Sequence, residues 1–527
     1  MSQKTKNRQN NDAAGRGTQR TKVGDKDDAL SKFNSRRDKT LDQERPAAVA
    51  RRHQQQLRTA RENLAELCEL DTFIEFGQLA VAAQRTRKTL DELAEKTPAD
   101  GVISGLGVIN ADLFQADVAK AAILVNDYTV LAATQGYFHH KKIDRLLSVA
   151  HDNYLPVVMY SEGGGGRPGD TDVKALGTGL AVTTFSAWAA LPTLKISVNR
   201  GYCFAGNAVL FGCADIKIAT RDSCIGMAGP AMIEGGGLGK HAPETIGPAS
   251  EQSKLGVIDI LVDDEAQATK MAKQVLGFFQ GDLSDWSCSD QSLLWDVLPK
   301  DRRFSYDVGK LINGLADTGS FVELQAEFGC AVVVGFLRIE GKPMAVIAND
   351  TRVLGGAIDS DAAEKSARFL QLCERTRMPI LSLCDTPGFM VGPDSEKQGA
   401  VKAMADMYIA GSKLTVPIVS IVIRKAYGLG AMAMVMGDFL RPIYSAAWPT
   451  GEFGGMGLEG AVNLGYKKEL DAAPTPEARQ ELFDNLLGEM YEQGLAAEVA
   501  SLTEIDAVIE PKDTRLVILT ALASAAQ

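Results

Sequence analysis

The sequence repeats itself. Asn126-Asp127 returns as Asn349-Asp350, 223 residues later, and at the same spacing Lys142 meets Lys365 and Pro156 meets Pro379. Ser161-Glu162, followed by four glycines, meets Cys384-Asp385, followed by Thr-Pro-Gly. The spacing then becomes 225, where Val198-Asn199-Arg200-Gly201-Tyr202 meets Ile423-Arg424-Lys425-Ala426-Tyr427. Isolated dipeptide matches arise by chance, but a co-linear series over some eighty residues marks a duplicated unit. At 527 residues the chain exceeds one ordinary core, so two large domains are expected.

Each unit reads as α/β. Ala121–Val125, Pro156–Met159, Thr193–Val198, Met344–Ala348, Ile380–Leu383 and Ile418–Ile423 are apolar runs punctuated by glycine-rich turns. That is the pattern of strands buried on both faces by helices. The boundary is expected near 280–300, at the loop Gly281-Asp282-Leu283-Ser284-Asp285, giving domains 46–290 and 291–527. Residues 1–45 are expected to be a disordered basic tail, because Met1 to Asp28 holds no Leu, Ile, Phe, Tyr or Trp. One helix is expected over 47–70, with Leu57, Leu64 and Leu67 on its apolar stripe.

A net charge of -11 argues against nucleic acid as a partner, although a local basic patch would still suit a phosphorylated ligand. The eight cysteines include no CxxC pair and sit mostly in apolar runs, so they read as buried free thiols in a reducing compartment. Only His139 and His140 are adjacent among the five histidines, so no metal site is expected. No signal peptide and no apolar run of membrane-spanning length is evident, and a cytoplasmic protein without membrane contact is expected.

After the paired Tyr202 and Tyr427, each half has a glycine turn opening an apolar helix: Cys203-Phe204-Ala205-Gly206-Asn207-Ala208 and Gly428-Leu429-Gly430-Ala431-Met432-Ala433. A helix start leaves unpaired N–H groups at the positive end of the helix dipole, and glycine lets a ligand oxygen come close. Such turns suit an oxyanion, at roughly 3–4 kcal/mol per donor. The other reading is close helix–strand packing; occurrence at matched repeat positions favours the oxyanion. One strand earlier lie Gly163 to Gly166 with Arg167, and Asp385-Thr386-Pro387-Gly388-Phe389. The first lacks the phosphate-loop spacing, so both read as walls of a site. No G-x-S-x-G occurs, and no serine or cysteine has an evident histidine base. Glu162 and Asp385 are equivalent carboxylates, either general bases or members of caps and salt bridges. His139 and Lys142 fall on one helix, where structural roles are favoured over catalytic ones.

These motifs resemble the carboxyltransferase (β) subunits of biotin-dependent acyl-CoA carboxylases, such as propionyl-CoA carboxylase. The likeness runs from about Arg58 to the C-terminus. It rests on Gly355-Gly356-Ala357-Ile358-Asp359 with Glu364-Lys365, Asp385-Thr386-Pro387-Gly388-Phe389, Arg424-Lys425-Ala426-Tyr427-Gly428 and Ala447-Trp448-Pro449-Thr450, and more loosely on Ala228-Gly229-Pro230. The resemblance implies two crotonase-like (ClpP/crotonase) ββα-superhelix domains in tandem. It implies that CO2 moves from carboxybiotin, carried by a partner, to the α-carbon of an acyl-CoA through an enolate. Gly206 and Asn207 would hold the acyl-CoA oxygen on the N-terminal side, and Gly430 and Ala431 the ureido oxygen of biotin on the C-terminal side. Gly164, Gly165, Arg167, Gly388, Phe389, Tyr427 and Ala433 would line the substrates. It further implies a homohexameric core served by a biotin carboxylase and a biotin carboxyl carrier, since no Met-Lys-Met biotinylation site appears.

The chain departs from the family where Asn207 replaces a second glycine, and where Gly430-Ala431-Met432-Ala433 stands for GAYD. The lost acidic residue leaves the acyl length open and permits a chain bulkier than propionyl. Competing readings are a biotin-dependent acyl-CoA decarboxylase subunit, a biotin-independent crotonase-type hydratase or thioesterase, and a non-catalytic scaffold. The paired turns argue against the last two.

Overall fold

The computed structural model describes residues 26–173 and 182–525. Two large sheets organise them. The first has seven strands in the order Ile74–Glu75, Val102–Val108, Lys120–Asn126, Val157–Tyr160, Lys195–Asn199, Ile216–Thr220 and Ile260–Val262. The second runs Val322–Leu324, Val332–Ile339, Lys342–Asn349, Ile380–Thr386, Ile418–Tyr427, Tyr444–Ala447 and Ala507–Val508, with Glu452–Gly454 also beside Ile418–Tyr427. Both begin antiparallel and turn parallel at the fourth strand. The tandem crotonase-like architecture is therefore present, and every expected strand lies within or against an observed one.

The repeat is also visible in backbone detail. After Lys120–Asn126 the chain makes a left-handed turn at Leu131, Ala132 and Ala133 (φ 52, 51 and 48°); after Lys342–Asn349 it does so at Leu354, Gly355 and Gly356 (φ 50, 64 and 89°). The first copy holds without glycine a conformation that costs an L-residue about 1–2 kcal/mol. A long helix follows each turn, Tyr137–Asp152 and Ser360–Thr376, and each buries a lysine of the repeat, Lys142 or Lys365.

The two sheets share a hydrophobic core. Phe336, in the second sheet, meets Phe278 and Phe279 from the end of the first half at 5.6 and 5.3 Å, and Phe369 at 5.6 Å. Arg338 seals this seam by donating to the carbonyls of Gly277, Gly281 and Gly341. Helix Glu265–Gly277 packs on the first sheet, and from Leu283 the chain already bonds to Gly341 of the second half.

Three expectations need correction. Within the supposed tail, residues 1–25 lie outside the described residues, but Lys26–Asp38 is a helix, with Asp27 and Asp28 in its first turn and Arg36 and Arg37 in its last, the charge order that complements the helix dipole. Arg45 is anchored on Asp127 at 2.6 Å. The single helix over 47–70 is two, Pro46–Gln54 and Ala60–Leu67, separated by left-handed Gln56 and restarted by a Thr59/Glu62 capping box. The cysteines are all free, but Cys213, Cys288 and Cys330 are exposed.

Candidate active site

The second glycine turn opens the helix Gly428–Met434 directly from the strand Ile418–Tyr427. Gly430 lies against the preceding loop, and a Cβ there would be 2.5 Å from the carbonyl carbon of Gly388 and 2.8 Å from the nitrogen of Phe389. No side chain fits that contact. Phe389 packs on Tyr408 (6.2 Å between ring centres), whose hydroxyl donates to the Leu429 carbonyl at 2.6 Å, tying loop to turn. A cleft of about 900 Å³ opens beside this turn, with Gly428, Leu429, Ala431, Met432, Phe439 and Phe453 in its walls.

The first turn opens the helix Gly206–Gly212 after the short strand Tyr202–Phe204. Ala205 takes φ 50° and ψ −120°, a conformation rare for a residue with a Cβ. Asn207 is fully buried. Its Nδ2 donates to the carbonyls of Gly164 (2.6 Å) and Ala133 (3.2 Å), and its Oδ1 accepts from Gln135 (2.7 Å). The side chain therefore turns inward and bolts the helix start to the glycine loop and the left-handed turn. Among the described residues no carbonyl or side chain outside the two helices accepts from the N–H of Gly206, Asn207, Gly430 or Ala431. Gly164 and Gly165 close against Thr134 and Ala205, where a Cβ would stand 2.8 and 2.6 Å from a side-chain carbon. The two glycine loops differ in how they hold the turn: the second packs on Gly430 directly, whereas the first is joined to its helix start through the Asn207 side chain, with the Gln135 amide against Gly206.

Other expected site residues turn away. Arg167 is buried and gives its donors to Asp170 (2.8 Å), to Asp100 and to the Thr134 carbonyl, so it shapes the glycine loop rather than meeting a substrate. Tyr427 donates its hydroxyl to Glu452 at 2.8 Å inside the protein, and only its backbone leads into the turn. Ala433 is buried in the core, whereas Met432 and Leu429 face the cleft. Helix phase decides this, and phase depends on where the helix starts, which the two glycines Gly428 and Gly430 leave open in sequence. Glu162 and Asp385 are salt-bridged, not free bases: Arg52 clamps Glu162 at 2.9 and 2.8 Å, and Arg424 reaches Asp385 at 2.7 Å. Burial still pushes the Glu162 carboxyl up to about 7, against the pull of Arg52.

The carboxyl transferase domain family matches residues 51–527. The chain belongs to the carboxyltransferase family of biotin-dependent acyl-CoA carboxylases. It is 31% identical over 503 residues to the carboxyltransferase subunit of propionyl-CoA carboxylase from Haloferax mediterranei, covering 93% of this chain and 94% of that one. Among solved structures it is similar to a single-chain, multi-domain long-chain acyl-CoA carboxylase, at 48% identity and TM-score 0.88. That match spans 94% of this chain but about half (48%) of the longer one. It is also similar to the transcarboxylase 12S hexamer with methylmalonyl-CoA bound, at 26% identity, TM-score 0.81, and 96% and 97% coverage. In this carboxyltransferase no helix among the described residues is long and apolar enough to cross a membrane. Leu429 and Met432 carry no family signature, and alternation along a short helix is too weak a signal to single them out; Gln135 and Arg52 lie far along the chain from the groups they hold.

Proposed function

We infer that the chain transfers a carboxyl group from biotin, held on a carrier chain, to the α-carbon of a long-chain acyl-CoA. The observation that carries this is the pair of glycine turns at Gly206-Asn207 and Gly430-Ala431, whose N–H groups meet no acceptor outside their own helices among the described residues and which each pack on a glycine loop. Two developing oxyanions need two such cradles, one for the thioester and one for the ureido group. We assign Gly206 and Asn207, in the unit 46–290, to the acyl-CoA, and Gly430 and Ala431, in the unit 291–527, to biotin. Gly164 and Gly165 then wall the acyl side, and Gly388 and Phe389 the biotin side.

Carboxybiotin supplies the CO2 and, once it has given that up, the base for the α-proton. The chain's own groups do the rest. The Gly206 and Asn207 N–H groups stabilise negative charge on the thioester oxygen as the α-proton leaves, and no side-chain nucleophile is required. Gly430 and Ala431 stabilise charge on the ureido oxygen. Leu429, Met432, Phe439 and Phe453 form an apolar wall that suits the biotin bicycle and its aliphatic arm, and keeps water from the released CO2.

The cleft beside Gly430 is walled by residues of the second half alone, so the opposing acyl-CoA turn comes from another subunit in this reading. The hexamer of the similar 12S protein provides such an arrangement. The long-chain assignment is supported by the 48% identity to the single-chain long-chain acyl-CoA carboxylase. A biotin carboxylase and a biotin carrier are the partners this chemistry requires, in the cytoplasm where acyl-CoA and ATP are at hand. The test is the assembled complex with ATP, labelled bicarbonate and acyl-CoAs from acetyl to palmitoyl. Label is expected in the long-chain products; carboxylated biotin with no labelled acyl-CoA rejects the reading, and preferred labelling of propionyl-CoA rejects the chain length.

A further inference from the structure

Glu162 sits at a junction of the first half. It follows the strand Val157–Tyr160 and precedes the glycine run, and its carboxylate lies flat on Gly201, where a Cβ would be 2.8 Å from Oε1. Gly201 leads into Tyr202–Phe204 and the turn. The next residue, Gly163, is laced to that strand, donating to the Tyr202 carbonyl at 2.7 Å and accepting from Phe204 at 3.0 Å. Whatever holds Glu162 therefore holds both the glycine loop and the strand that feeds Gly206.

In the second half the equivalent carboxylate, Asp385, is held by Arg424 of the neighbouring strand, itself fixed on the carbonyls of Arg302 and Phe304. At the repeat position of Arg424 the first half has Asn199, which carries no charge and binds the Gly201 carbonyl at 3.1 Å. The missing guanidinium comes from outside the sheet. Arg52, on helix Pro46–Gln54, meets both oxygens of Glu162, and its Nε donates to the Arg58 carbonyl at 2.8 Å across the break between the two N-terminal helices. Beside the pair is a polar chamber of about 20 Å³, room for one water. Both side-chain polar atoms of buried Asn126 and the Oδ1 of buried Asn63 lack protein partners there.

We propose that Arg52 is the positioning residue of the first glycine turn, clamping Glu162 so that Gly163–Gly166 and Tyr202–Phe204 stay in register, with one ordered water joining Asn126 and Asn63 to the clamp. The N-terminal helix is then part of the catalytic support rather than an appendage. The clamp acts on oxyanion geometry, which matters in the transition state more than in substrate binding, so its loss lowers kcat with little effect on KM. This rests on the reading of Gly206 and Asn207 as the acyl-CoA cradle.

The test uses the assembled complex carrying Arg52→Met or Arg52→Lys, with steady-state carboxylation and amide hydrogen exchange read in parallel. Arg52→Met is expected to lower kcat at least tenfold, with acyl-CoA KM within twofold, and to speed exchange at 163–166 and 202–207 but not at 388–390. Arg52→Lys neutralises Glu162 but cannot grip both oxygens, so it is expected to assemble normally with intermediate kcat. Wild-type kcat in either variant, or unchanged exchange at 163–166, overturns the clamp. Should Arg52→Met fail to assemble, Arg52→Lys decides alone. Faster exchange in a complex that carboxylates no acyl-CoA even as wild type leaves the clamp standing and rejects the assigned reaction instead.

Discussion

Lys142 and Lys365, separated by the repeat spacing, make the same contacts. Each drives its ammonium into the protein and caps two backbone carbonyls of the hairpin start: Ala99 and Val102 in the first half, Gln325 and Phe328 (both 3.0 Å) in the second. Among the described residues no carboxylate touches either. Burial pulls both pKa values down to about 8. A neutral amine keeps two N–H donors, which is the number of carbonyls each one meets.

Stability should therefore rise with pH in the alkaline range. Between about pH 8 and the ordinary lysine value of 10.5, the unfolded chain binds protons that the folded chain has released, so the unfolding free energy climbs across that window. Denaturant midpoints at pH 7.5 and 9.5 measure it. Lys142→Met and Lys365→Met should each flatten the rise and destabilise by about 2 kcal/mol by stranding buried carbonyls; an unchanged slope in both variants refutes the assignment.

His139 predicts the opposite end of the scale. It is fully buried, its Nδ1 faces the Asp100 carbonyl at 3.1 Å, and burial lowers its pKa from 6.5 to about 3. The unfolded chain takes up this proton first as pH falls, so the stability His139 allows is present above 6.5 and is lost between 6.5 and about 3. In acid titrations followed by circular dichroism, His139→Leu should unfold along a shallower curve than the parent.

Gly430 has no space for even a methyl group against Gly388. Gly430→Ala should force the turn and the loop apart and reduce carboxyl transfer by about 10²-fold or more, the loss typical of a displaced oxyanion donor. Gly488→Ala is the control, since nothing lies within 4 Å and the residue is inside the helix Pro476–Gln493. It should leave transfer unchanged and stabilise by roughly 0.5–1 kcal/mol. Equal activity in the two variants would sink the contact argument.

The left-handed turn offers a stability test of the repeat. Ala132 holds φ 51° where the second half has Gly355. Ala132→Gly should relieve strain that slightly exceeds the added freedom of the unfolded chain, a gain of up to about 1 kcal/mol. Thermal unfolding that shifts clearly downward would show that the alanine methyl matters more than the strain.

The duplication, the buried strands and the glycine turns were legible because each is written in consecutive residues: apolar runs, paired motifs, glycines before a helix. What the sequence hid lies between distant residues. Arg52 and Glu162 are 110 positions apart, and nothing local says that one neutralises the other. Arg167 read as a ligand group because Asp100, 67 positions away, could not be matched to it, although Asp170 lies only three residues on. The helix break at Gln56 carries no glycine or proline, though Thr59 with Glu62 three residues on was a start signal in plain view. Asn207 read only as a departure from a second glycine, since a side chain's direction is not a property of its letter. Ala433 and Met432 exchanged roles through a shift in helix phase of one residue.

The aromatic seam of Phe278, Phe279, Phe336 and Phe369 has a consequence for how the two halves stay together. A single copy of the unit, cut at this seam, presents that cluster to water and needs another copy to cover it. Within one chain each half carries its cover at a fixed high local concentration. Dilution, which dissolves dimers, has no purchase on a partner that is already part of the same molecule.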